Sequence, residues 1–108
     1  MLDKLTLAGV FQVLFAGGYI VSEGPCFGVK RYVAMRYSSV HGCNRPVGIV
    51  RQKDFRGLNF KLLKAIRAEH DDLGRFFTIY ILDWSLYRKF DGFDLEKAAM
   101  SEVLPDGK

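Results

Sequence analysis

The chain has 108 residues, of which 49% are hydrophobic and 26% charged, and its net charge is +4. This length suits one domain over residues 1–108, and the mixed charged and apolar composition excludes a disordered chain. A domain this small leaves much of its surface exposed, so we expect some apolar surface to remain for a partner and favour a homo-oligomer.

The first feature along the chain is an uncharged stretch of 18 residues, 5–22, close to the length that crosses a bilayer. Thr6, Gln12 and three glycines interrupt it, and Asp3 and Lys4 cancel the basic start that a signal peptide needs. We interpret the stretch as part of the core. This interpretation predicts a cytoplasmic protein without a membrane partner.

Two structures fit residues 2–16. The apolar residues 10–16, followed by Gly17, Gly18 and a second apolar run, indicate a β-hairpin. A helix over residues 2–16 that ends at Gly17 fits the same positions. Gly9 and the valines favour the strand, which is the expectation here, although the pattern does not exclude the helix.

The next elements are predicted to form a second hairpin. The residues from 28 to 38 fit a strand whose side chains alternate between its two sides. Arg31, Val33 and Met35 would point to one side, and Lys30, Tyr32, Ala34 and Arg36 to the other. A polar loop at 39–45 follows, and Pro46 suits the first residue of a strand over 46–50. Two strands so close in sequence are expected to pair antiparallel.

The second half of the chain has fewer glycines and looks more helical. Leu58, Leu62 and Ile66 lie four residues apart, which predicts a main helix over residues 58–73, followed by Gly74 as its C-terminal cap. Residues 76–84 are apolar on both faces and predict an interior strand, and Asp94 is a candidate N-cap for a helix over 95–103.

The order of these elements predicts an α+β domain. We expect a mostly antiparallel sheet of four to five strands, with one main helix over residues 58–73 packed on it and a short C-terminal helix. The sheet would carry the strands of the two predicted hairpins and the strand at 76–84.

Charge is distributed unevenly along the chain. Residues 28–67 hold ten basic residues and one acid, a net charge of +9, whereas residues 68–107 carry −5. Lysine and arginine neutralise phosphates, so the basic segment predicts a small interaction protein with a basic face for an anionic partner, nucleic acid among them. The candidate anion-binding residues are Lys30, Arg31, Arg36, Arg51, Lys53, Arg56, Lys61, Lys64 and Arg67. The alternative is that the two segments neutralise each other, within one chain or across subunits of an oligomer.

Motifs for catalysis are not evident. The chain lacks a P-loop, a dinucleotide fingerprint, a nucleophile elbow and a calcium loop, so we expect no cofactor, no metal and no catalytic residue. His41 and Cys43 lie in the same predicted turn, where a Cys–His pair seldom reaches the geometry that activates a thiolate. Cys26 and Cys43 either pair or remain two thiols, and the sequence leaves this open. A non-enzymatic protein is the favoured interpretation.

Aromatic residues suggest a second function. Phe11, Phe15, Tyr19, Tyr80 and Trp84 fall in predicted strands and could line a pocket for a small apolar ligand. The same residues at strand spacing are also typical of an ordinary core.

Overall fold

A computed structural model describes residues 2–25, 31–70, 72 and 75–89. The elements in chain order are α1 (Leu7–Phe15), β1 (Tyr19–Pro25), β2 (Arg31–Ser38), β3 (Cys43–Val50), α2 (Gln52–Lys61), β4 (Leu63–His70), β5 (Arg75–Leu82) and α3 (Trp84–Lys89). The five strands form one antiparallel sheet in the order β3-β2-β1-β5-β4. The predicted α+β class and the mostly antiparallel sheet are therefore confirmed.

The strand expected at residues 10–16 is wrong, because this segment belongs to α1. Thr6 caps the helix, its Oγ1 accepting a hydrogen bond from the Gly9 amide at 3.0 Å. Gly17 ends the helix with φ +85°, and the amides of Gly17 and Gly18 donate to the carbonyls of Leu14 and Val13. These two hydrogen bonds form a Schellman motif, in which glycine occupies the left-handed position. The Gly-Gly pair that indicated a hairpin is thus a helix stop.

The helix expected at residues 58–73 is also wrong. Its first residues belong to α2, and the chain then forms β4 after Leu62. Ala65 pairs with Tyr80 and Ala68 with Thr78, because a bulge at Ile66 adds one residue to β4. Ile66, the extra residue of this bulge, follows Leu58 and Leu62 at helical spacing, although it is 54% exposed and does not belong to the core.

The remaining predicted strands are confirmed. β2 and β3 form the expected antiparallel hairpin, although β3 begins at Cys43 and not at Pro46. β5 is an interior strand between β1 and β4, as the apolar sequence of residues 76–84 predicted. The helix predicted at 95–103 lies outside the described residues, and the short helix after the sheet is α3.

Both α1 and α2 pack against the same side of the sheet, which we call the helical side. The buried residues there include Val10, Leu14 and Leu58 from the helices and Ile20 and Ala34 from the strands. Because side chains alternate along a strand, Val21, Val33 and Ile79 point to the other side, which we call the opposite side. Among the described helices, none is long and apolar enough to cross a membrane.

Candidate anion-binding surface

The register of the sheet assigns each strand cation to a side. Ser22 and Ile20 of β1 point to the helical side, so their cross-strand partners on β2, Tyr32 and Ala34, point there as well. Side chains alternate along a strand, and Arg36 therefore faces the helical side too. Arg45 of β3 lies directly opposite Arg36 and therefore also faces the helical side. Both arginines are exposed.

Helix α2 adds three cations to the helical side. Phe55, Leu58 and Leu62 are buried, and they hold the helix against the sheet. Helical spacing then directs Lys53, Arg56 and Lys61 towards solvent, where all three are exposed. In the part of the chain that the structure describes, none of the three takes part in an ion pair.

The cations of the opposite side are mostly paired. Arg31 donates to the Glu23 carboxylate, with its Nε 2.9 Å from Oε1, and these two residues are cross-strand partners of β1 and β2. Arg67 Nε lies 3.9 Å from Glu69 Oε1, and both residues belong to β4. Lys64 points to the same side, since it pairs with Ile81, and no described ion pair includes it.

Four of the nine predicted anion-binding residues thus lie on the helical side, and three lie on the opposite side. Those on the helical side are Arg36, Lys53, Arg56 and Lys61, and those on the opposite side are Arg31, Lys64 and Arg67. Arg51 precedes α2 and forms an ion pair with Asp54 at 2.8 Å. Lys30 lies outside the described residues. Sequence reasoning left Arg45 out of the site and placed it in the loop at 39–45, whereas it lies on β3 opposite Arg36.

A cavity of about 440 Å³ lies at the start of α2. Its lining comprises Lys4, Arg31, Tyr32, Ile49, Val50, Arg51 and Gln52, so three cations from three different segments reach it. Residues 3–5 are held there because the Leu5 amide donates to the Ile49 carbonyl and the Ile49 amide to the Asp3 carbonyl, both at 2.8 Å. The helix has no side-chain cap at Arg51, so its first amides and its dipole add to the positive potential.

The end of the β2–β3 hairpin is a second cationic surface. Residues 36–47 are all exposed except the half-buried Ser38. The turn is closed by the Gly42 amide, which donates to the Ser38 carbonyl at 2.8 Å, with Gly42 at φ +69°. Ser38 Oγ lies 2.9 Å from His41 Nδ1, which further orders the turn.

The five aromatic residues proposed as a pocket fall into separate groups. Phe11 stacks on Phe15 at 5.3 Å between ring centroids, and Phe15 contacts Trp84 at 6.1 Å. Tyr80 contacts Phe55 on the helical side of the sheet, whereas Tyr19 pairs with Met35 and faces the opposite side. Burial raises the pKa of the Tyr80 phenol. The ligand pocket stays a prediction, and two of its five residues, Phe11 and Trp84, line different cavities.

His, Cys and acidic side chains are the groups that a metal site or a nucleophilic mechanism would use. Within the described residues, no three His, Cys, Asp or Glu side chains come together as a metal site would require. The Cys43 thiol is free and exposed at the start of β3, while Cys26 lies outside the described residues. His41 Nδ1 faces Ser38 Oγ in the hairpin turn, and both residues line an open cavity of about 480 Å³.

Comparison of the chain with models of protein families, with curated proteins and with solved structures returned no match. The distribution of charge on the surface is therefore the main guide to what the protein binds. Among the described residues, that distribution differs between the two sides of the sheet: two of the three cations on the opposite side have carboxylate partners, whereas those on the helical side have none.

Proposed function

We propose that this protein is a non-enzymatic interaction domain that binds an anionic partner through the helical side of its sheet. The observation that supports this proposal is the group of exposed, unpaired cations there. They are Arg36, Arg45, Lys53, Arg56 and Lys61, and no ion pair of the described residues includes any of them.

Unpaired cations favour an anionic partner for an electrostatic reason. A guanidinium or ammonium group that already faces a carboxylate, as Arg31 does with Glu23, gains little from a further anion. Exposed cations without such partners attract anions from a distance and release counterions when they neutralise phosphates. The only described acid on α2 is Asp54, and Arg51 already neutralises it.

A salt titration with polyanions tests the proposal. We expect fluorescently labelled oligonucleotides and heparin to bind at low salt, with affinity falling steeply between about 50 and 200 mM salt. The variant K53A/R56A/K61A should weaken binding at least about tenfold and reduce the slope of log affinity against log salt by about 2 to 3, near one unit per lost contact.

A matched pair of variants compares the two sides of the sheet. K53A/K61A and K64A/R67A each lose two positive charges, so a general loss of charge would affect both variants equally. We expect the opposite-side variant to lose much less affinity, with thermal unfolding confirming that both variants fold. Equal losses, or no binding of DNA, RNA or heparin even at low salt, would contradict the proposal.

The homo-oligomer and the cytoplasmic location stay predictions. Sedimentation of the chain as a single 12.3 kDa species would contradict the oligomer.

A further inference from the structure

The end of the β2–β3 hairpin, residues 36–47, extends beyond the core, and we call it the arm. Three cross-strand pairs build it: Arg36 with Arg45, Tyr37 with Asn44, and Ser38 with Cys43. At about 3.4 Å per residue, these pairs and the turn beyond them give a two-stranded ribbon about 10 Å long or slightly more. Because nearly every residue of the arm is exposed, solvent reaches both of its faces.

The charge of the arm is entirely positive. Residues 36–47 contain two arginines and no acid, and the two arginines are direct cross-strand partners. Like charges placed opposite one another destabilise a strand pair, so this arrangement costs folding free energy. An anion between Arg36 and Arg45 would relieve the repulsion and would accept hydrogen bonds from both guanidinium groups.

The remaining side chains of the arm suit a nucleic-acid groove. Asn44 and Ser38 can donate and accept hydrogen bonds, as base edges require. Val40 at the turn is 89% exposed, an apolar side chain in a polar ribbon, and such groups contact the methyl of thymine. The major groove of B-form DNA is about 12 Å wide and about 8.5 Å deep and admits a two-stranded ribbon, which matches the arm in width and length.

We infer that the arm enters the major groove of duplex DNA, where Arg36 and Arg45 donate to base edges and phosphates. The inference rests on the proposed function and names its partner. Cations on the same side of the sheet, Lys53, Arg56 and Lys61, would then contact the phosphates of the flanking backbone. The major groove of A-form RNA is too narrow for side chains to read, so an RNA duplex of the same sequence should bind less tightly.

Competition between polyanions tests the partner. We expect the unmodified chain to bind a DNA duplex at least about tenfold more tightly than the matched RNA duplex, and R36A/R45A to abolish most of this preference. R36K/R45K keeps the charge but loses the bidentate fork, so it should retain heparin binding and lose the preference for DNA. The control K64A/R67A removes the same charge from the opposite side and should keep the preference.

Cys43 provides a second measurement that needs no substitution, because its thiol is free and exposed on the arm. Its alkylation rate, followed by peptide mass spectrometry, should fall at least about tenfold in saturating DNA duplex and change less than about twofold in saturating heparin. A protected Cys43 supports insertion of the arm. An unprotected Cys43 with DNA bound would overturn it, as would equal affinity for both duplexes.

These outcomes separate the two proposals. If heparin and single strands bind through α2 while Cys43 remains reactive in duplex DNA, the arm inference fails and the proposed function survives. Binding to anionic lipid vesicles or to an acidic peptide without binding to DNA would likewise overturn the inference alone. If no polyanion binds at low salt, both proposals fail.

Discussion

The ring of Phe55 on α2 lies almost parallel to the ring of Tyr32 on β2, with their centroids 3.9 Å apart and their planes inclined by 13°. Tyr80 of β5 meets the same Phe55 ring edge-on at 4.9 Å. These contacts attach α2 to two strands of the sheet. The positions of the cations on the outer surface of α2 therefore depend on this aromatic cluster, together with the buried Leu58 and Leu62.

Replacement of Phe55 by alanine should destabilise the fold strongly. Phe55 is 4% exposed, and truncation of a buried phenylalanine typically costs about 3–5 kcal/mol. Urea unfolding measures the loss, which should be much smaller in F55L. The exposed Tyr37 provides the control, since Y37A should change stability by no more than about 0.5 kcal/mol. A similar loss in F55A and Y37A would contradict the anchoring role of Phe55.

Much of the sheet could be predicted from sequence, because its interior strands carry uninterrupted apolar runs or clear alternation. β5 and the β2–β3 hairpin follow from such patterns. The strand expected at residues 10–16 was wrong, since Val10, Phe11, Val13 and Leu14 also fit a helix. Packing against the sheet, with the Thr6 cap, decides the helix there.

The candidate site could be predicted only in part for a related reason. The surplus of cations in residues 28–67 is visible in the sequence, but the side of the sheet that each cation occupies depends on strand register. The bulge at Ile66 hid β4 within a helical pattern, so Lys64 and Arg67 were expected on the same helix as Lys61. Pairings such as Arg31 with Glu23 require the tertiary structure.

Two glycines should respond oppositely to replacement by alanine. An added Cβ at Gly57, in the exposed middle of α2, meets nothing within 4 Å, so G57A should stabilise the fold by about 0.5–1 kcal/mol through helix propensity. At Gly48 on β3, the same atom would lie 2.7 Å from Leu5 Cγ and 2.8 Å from the Asp3 carbonyl oxygen. G48A should therefore destabilise by about 1–3 kcal/mol. Chemical denaturation of both variants checks the signs, and stabilisation by G48A would contradict the packing of residues 3–5 on β3.

Ser22 is a buried polar residue in the central strand. It is 1% exposed, and its Oγ has no hydrogen-bond partner in the part of the chain that the structure describes. An unsatisfied buried hydroxyl costs about 1–3 kcal/mol, so S22A should leave stability unchanged or raise it by up to about 1 kcal/mol. The exposed Ser39 provides a control, because S39A should have almost no effect. A marked loss of stability in S22A alone would show that the hydroxyl has a partner.

The stability of the fold should fall at high pH partly through Tyr80. Burial raises the pKa of its phenol, against a smaller opposite effect of the hydrogen bond from the Thr78 side chain. Below about pH 10, the phenol is protonated in both the folded and the unfolded chain, and the full contribution to stability is present. As the pH rises above this value, the unfolded phenol ionises first, so the free energy of unfolding decreases until the folded phenol ionises as well.

Urea unfolding between about pH 8 and 11 should show a smaller decrease for Y80F than for the unmodified chain. The other tyrosines titrate in both proteins, so the difference between the two curves isolates Tyr80, and parallel curves would contradict the raised pKa.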